Sequence, residues 1–138
     1  MAAHVIWEET GAKMTKNEQI ELVQRYFAAV DCEDLKGVLS TLTQDCVFSV
    51  ETHNVRLEGH GEVTGMFQRL WANHAAVRHF EFVFVSDPET DRIAARFKVE
   101  NTEHDQSVIR KSNCNFFEIR DDRFSRVAVY MAGPNTLD

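Results

Sequence analysis

Between Gln19 and Val50 the spacing of apolar residues turns from helical to alternating, and few small folds begin that way. Ile20, Val23, Phe27 and Val30 recur at three- and four-residue intervals, with Leu22 and Tyr26 beside them and Lys16, Glu18, Glu21 and Arg25 elsewhere on the wheel. That pattern predicts an amphipathic helix with one buried face. Thr15 and Glu18 form the S/T-x-x-E signature of a capping box, which places the helix start near Thr15. A break at Asp31-Cys32-Glu33 precedes a second stripe, Leu35, Val38, Leu39 and Leu42, with Asp31 or Asp34 as its cap and Thr43-Gln44-Asp45 as its end. From Cys46 the period is two: Cys46, Phe48 and Val50 share one face of a strand, and Val47, Ser49 and Glu51 the other.

Downstream, Val55–Gly59 reads as a short return strand and Gly59-His60-Gly61 as a turn into a third helix carrying Val63, Met66, Phe67, Leu70 and Trp71. Four alternating runs follow, Val77–Asp87, Arg92–Glu103, Ser107–Ile119 and Phe124–Met131, separated by turn residues such as Asp87-Pro88-Glu89-Thr90 and Asp121-Asp122. Helices first and an antiparallel meander after them predict an α+β domain whose sheet curls around the helices. Residues 15–138 make up that single domain, and residues 1–14 are expected to form a loosely held arm in which Val5, Ile6 and Trp7 can dock on the domain or on a second subunit.

The formal net charge is −7, and no Lys/Arg run stands out, which opposes binding to nucleic acid or to an anionic membrane. No apolar run approaches a membrane span, and the first residues lack a secretory signal, so a cytoplasmic protein is expected. Cys32, Cys46 and Cys114 are too few and too scattered for a disulfide framework or a zinc site. The six histidines show no metal-ligand spacing, and the glycines form no phosphate-binding loop, so neither a metal nor an organic cofactor is expected.

Alternation also assigns faces. In the second long run Ile93, Ala95, Phe97 and Val99 face inward. In the third, Ile119, Phe117, Asn115, Asn113, Lys111 and Ile109 share a face, so two amides point into an apolar interior where they must pair with each other, with Tyr26, with water or with a ligand. In the first long run the Phe80, Phe82 and Phe84 side looks like the core side, which puts His79 and Glu81 on the outer face or at an interface. With ten Phe in the chain, the rings either fill a large internal cone or leave an outer apolar face for a second chain to cover.

The segment RYFAAVDCEDLKGVLSTLTQD and the strand after it resemble the opening of the nuclear-transport-factor-2-like superfamily, which holds the SnoaL-like and ketosteroid-isomerase-like proteins. The resemblance implies a cone of three N-terminal helices on a strongly curved, mixed or mainly antiparallel sheet, a homodimer through the outer sheet face, and a cavity for a small apolar oxygenated molecule. Expected ligand contacts around that cavity are Phe27, Phe48, Val50, Phe67, Trp71, Asn113 and Phe117. Aligned without gaps from Arg25-Tyr26 through Asp45, the isomerases' helix tyrosine falls on Tyr26 and their proton base on Val50. Their second oxygen donor, aligned back from the last turn, falls on Asn115. Valine cannot move a proton, which leaves two readings: a binding protein without chemistry, or an isomerase, cyclase or hydratase with another base. His53 and His60, in the loop region after the first strand, are the candidates for that base, and surface or turn histidines otherwise. A protein-interaction module, as in the transport-factor relatives, is the third reading.

Overall fold

The switch in period at the start of the chain produces the elements its spacing requires. In the computed structural model, which describes residues 13–138, helix α1 spans Lys16–Asp31. Its capping box closes from both sides: the Glu18 backbone N–H donates to Thr15 Oγ1 at 3.2 Å, and the Thr15 N–H to Glu18 Oε1 at 2.8 Å. Helix α2 is short, Leu35–Ser40, and Asp34 caps it by accepting from the Gly37 N–H at 3.0 Å. The chain is already extended at Leu42, so β1 runs Leu42–Val50 and absorbs Leu42 and the Thr43-Gln44-Asp45 segment expected to end the helix. The arm expected at residues 1–14 lies outside the described residues except for Lys13, which pairs with Asp91, and Met14, which packs on the core.

After a 3-10 turn at Glu51–His53 come β2 (Val55–Glu58) and α3 (Gly59–Asn73). Gly59-His60-Gly61 is the first turn of that helix rather than a lead-in to it; Gly59 adopts φ +80°, which a side chain would strain. The meander is β3 (Ala76–Asp87), β4 (Arg92–Thr102), β5 (Val108–Arg120) and β6 (Arg123–Tyr130). Asp121 and Asp122 both take positive φ, as a tight β5–β6 hairpin needs. The sheet order is β2-β1-β6-β5-β4-β3, antiparallel except where β1 lies parallel to β6, so the sheet is mixed. The helices bury their apolar faces against its inner side, with Leu22, Val23, Val38, Val63, Phe117 and Phe124 fully enclosed.

The inward parity of β4 and β5 holds, except that Ile109, at the frayed end of β5, is 40% exposed. In β3 the parity reverses. Glu81 sits at φ +56° in a bulge between Phe80 and Val83, one register step lost against β4. Beyond the bulge Phe82 and Phe84 pack on the core as expected, but before it Phe80 faces out under the Arg78 guanidinium, 4.0 Å from its ring centre. His79, expected outside, is therefore inside.

Candidate functional site

A cavity lies between the helices and the inner face of the sheet, with about 40 Å³ of space that water centres can occupy, room for a few water molecules. Six of the residues singled out in the sequence line it: Tyr26, Phe27, Phe48, Phe67, Asn113 and Asn115. Five do not. Val50 is buried in β1 between Val55 and Val129, and Phe117 stacks beneath the cavity on Phe124, ring centres 4.4 Å apart. Trp71 turns its indole N–H to the Val30 carbonyl at 3.0 Å. His53 lies in the turn after β1, its Nδ1 2.9 Å from Thr52 Oγ1, and His60 Nε2 donates to the Leu42 carbonyl at 3.1 Å. Neither histidine reaches the cavity.

The imidazole that does reach it is His79. Its ring lies between Phe27 and Phe97, with centre separations of 4.6 and 5.4 Å. Its Nδ1 is 2.6 Å from Asp31 Oδ1, and its backbone N–H donates to Asp31 Oδ2 at 2.8 Å. Asp31 is the last residue of α1, where the helix dipole disfavours a carboxylate, so the two hydrogen bonds from His79 offset a placement that is otherwise unfavourable. In the neutral ring, donation of Nδ1–H to the carboxylate leaves the lone pair on Nε2, and Nε2 makes no hydrogen bond among the described residues. An oriented imidazole with an open nitrogen, walled by aromatic rings, is the arrangement a general base requires.

Oxygen-binding groups face the same space. Tyr26 is 2% exposed, with its ring against the edges or faces of Phe27, Phe67, Phe117 and Phe124. Burial, then the nearby Cys46 and Asp31, push its pKa far above the ordinary tyrosine range, so the hydroxyl stays protonated and able to donate. Asn113 is partly committed, its Oδ1 accepting from the Ala132 N–H at 3.1 Å. Asn115, on β5, and Asn101, on β4, are 3% and 2% exposed, and the Oδ1 of each has no hydrogen-bond partner among the described residues. An unpaired buried amide oxygen costs roughly 1–3 kcal/mol, so two in one cavity mark a place where something else supplies the donors.

Asn101, Asp31 and His79 are the site residues that the sequence reading missed. Asn101 was within reach, since the inward parity of Ile93–Val99 continues to it. No Gly or Pro announces the bulge at Glu81 that turns His79 inward. Among the described residues no three His, Cys, Asp or Glu side chains converge as metal ligands would. Cys46 is buried, and desolvation followed by the Asp45 charge raises its pKa, which keeps the thiol inert. No helix among the described residues is long and apolar enough to cross a membrane.

The architecture recurs in solved structures. A candidate polyketide cyclase from Xanthomonas campestris pv. campestris superposes with a TM-score of 0.77 at 21% identity, over 83% of this chain and 90% of that one. TerC co-crystallized with polyporic acid gives 0.73 at 16% identity, over 83% and 92%. An NTF2-like protein from Burkholderia xenovorans LB400 gives 0.72 at 16%, over 86% and 92%. At these identities the likeness establishes the fold alone. No curated protein matches the chain. The sequence model of the SnoaL-like domain, however, matches residues 23–127, from the middle of α1 to the middle of β6, which takes in the cavity's helical roof and most of its sheet. With three helices on a curved mixed sheet, the NTF2-like fold, and that match across most of its length, the chain belongs to the SnoaL-like domain family.

Proposed function

We propose that this protein is a cofactor-independent acid/base enzyme of the isomerase, cyclase or hydratase kind, acting on a small apolar molecule that carries a carbonyl or hydroxyl. The observation that carries the reading is the Asp31–His79 pair, set in the cavity that also holds the unpaired Asn101 and Asn115 oxygens. In the reaction so proposed, His79 Nε2 takes a proton from the carbon beside a carbonyl. The C–H electrons move to the oxygen, where the Tyr26 hydroxyl and the Asn115 amide N–H hold the developing charge, and the imidazolium returns the proton elsewhere on the substrate. Asp31 fixes the tautomer of the neutral imidazole and stabilises the imidazolium once the proton is taken. His53 and His60, the bases expected from the sequence, are replaced in this role because both are tied down away from the cavity.

A second reading, binding without chemistry, draws on the small size of the cavity and on Val50 at the position of the isomerases' base. Asn115→Leu separates the two. Leucine fills the same space without an orphaned oxygen, so the variant is expected to gain about 1 kcal/mol in urea denaturation. An enzyme should lose turnover much more than substrate affinity; equal losses would mean uniform binding and would favour the second reading.

The outer sheet face supports a further part of the proposal, a homodimer. Val85, Ala94, Phe116 and Ala128 lie side by side across β3–β6, and Val83, Arg96, Cys114 and Tyr130 form the next row. Val85 is 70% exposed, Val83 48%, Tyr130 46% and Phe116 38%, an apolar stripe that a second copy would cover. Sedimentation at micromolar concentration is expected to give a dimer, and Phe116→Asp a monomer; a monomeric wild-type protein refutes the assignment.

A further inference from the structure

The most unusual charge in the molecule is Lys111, the inward residue of β5 just before Asn113 and Asn115. It is only 8% exposed. Its Nζ donates to the Pro134 carbonyl and lies 3.8 Å from Met131 Sδ, and no carboxylate is within ion-pair distance of it among the described residues. The chain holds 22 acidic residues against 15 basic ones, so a carboxylate partner would have been easy to supply. An ammonium has three donors, and a carbonyl with a weakly accepting thioether leaves that capacity unfilled. Burial alone pushes the Lys111 pKa down, which states the same imbalance: the charge lacks a counter-ion.

Lys111 does not line the cavity itself but touches residues at its edge. Asn113, the next inward residue, and Met131, which it touches, both line the cavity, as do Thr136 and Leu137 further along the same C-terminal strap. His74 holds that strap from the other side, with Nε2 3.2 Å from the Thr136 carbonyl and Nδ1 3.0 Å from Glu103 Oε2. A ligand of more than a few atoms needs the strap to yield, and where the strap meets the sheet it meets Lys111. From Lys111 to Asn115 is four residues of strand, about 13 Å.

We infer that the cavity takes an organic acid: a carboxylate or acidic enol pairs with Lys111 under the C-terminal strap, an apolar body lies among the phenylalanines, and a hydroxyl donates to the Asn115 amide oxygen. The inference rests on the cavity being a ligand site but not on any chemistry by His79. A charge-assisted hydrogen bond to a desolvated ammonium is among the stronger contacts a small ligand makes, so the charge should dominate selectivity.

Phenylacetate, 3-phenylpropionate and 4-phenylbutyrate, each set against the alcohol of the same length, provide the test. Affinities come from calorimetry, and occupancy from shifts of the Asn101 and Asn115 side-chain resonances. Wild-type protein is expected to bind at least one acid about tenfold tighter than its alcohol. Lys111→Met should abolish that preference, leaving the alcohol within about twofold, while Lys111→Arg retains most of it. An unchanged preference in Lys111→Met, or none in the wild type although the alcohols bind, overturns the anion assignment and leaves the cavity a site for neutral molecules. Failure of every probe to shift either amide overturns the ligand reading itself. Should the Lys111→Met variant not fold, the wild-type comparison and the Lys111→Arg variant still decide the matter.

Discussion

Replacing His79 by glutamine is expected to slow proton transfer at carbon by roughly 10²–10⁴-fold while leaving the fold intact. Glutamine retains the backbone N–H that donates to Asp31 Oδ2, and a side-chain amide can replace the Nδ1–H contact, so the C-terminus of α1 remains tied to β3. What it lacks is an exchangeable lone pair at the position of Nε2. The measurement need not await the natural substrate: wash-out of α-protons from a panel of small keto acids in deuterium oxide, followed by proton NMR, reports the abstraction step directly. Asp31→Asn is expected to slow the same exchange by less, because the imidazole stays in place while its tautomer and the charge beside it are lost. A purely structural role for the pair would leave the pH profile of exchange unchanged in Asp31→Asn and reduce only its amplitude. Equal exchange by the wild-type protein and the His79→Gln variant would exclude His79 as the base and return the cavity to simple binding.

Why His79 was not legible in the sequence, when so much else was, comes down to one backbone angle. Local signals are physical and short-ranged: Thr15 and Glu18 are three residues apart and settle the start of α1 by themselves. The two aspartates at the β5–β6 hairpin settle a turn, and the alternation in β5 put Asn113 and Asn115 inside. Parity, though, is a running count, and one bulged residue inverts every assignment on its far side. Counting back from Phe84 and Phe82 across Glu81 put Phe80 in and His79 out, and the positive φ at Glu81 reverses both. The pairing with Asp31 joins residues 48 apart in sequence, a relation set by where α1 ends over β3. His53 and His60 lie away from the cavity for a different reason. They are close in sequence to the cavity strand β1, but the 3-10 turn and the extra helical turn at Gly59 direct them to Thr52 and to the Leu42 carbonyl.

Phe117→Ala is expected to carry the largest stability loss of any single truncation in the aromatic core, about 3–5 kcal/mol. The ring is fully enclosed, stacks on Phe124 at 4.4 Å, and meets Tyr26 edge-on at 5.8 Å and Phe27 at 6.3 Å. It lies one inward step along β5 from Asn115, so it forms the floor on which the polar part of the cavity stands without lining that cavity itself. The neighbouring atoms belong to a helix and to a hydrogen-bonded sheet, which relax little, so the loss includes a void as well as lost transfer energy. In a domain of this size the melting temperature should fall on the order of 10–20 °C. Asn115→Leu, one step away on the same face, is expected to move stability the other way. The opposite signs follow from what each side chain lacks: Phe117 has every contact it can make, whereas the Asn115 amide oxygen has no donor among the described residues. A void left by Phe117 would be apolar, and benzene at millimolar concentration should restore part of the lost stability in the alanine variant, a larger gain than it gives the wild type. A loss below about 1 kcal/mol would mean that the floor collapses freely, and that the geometry of the amides above it is not held by packing.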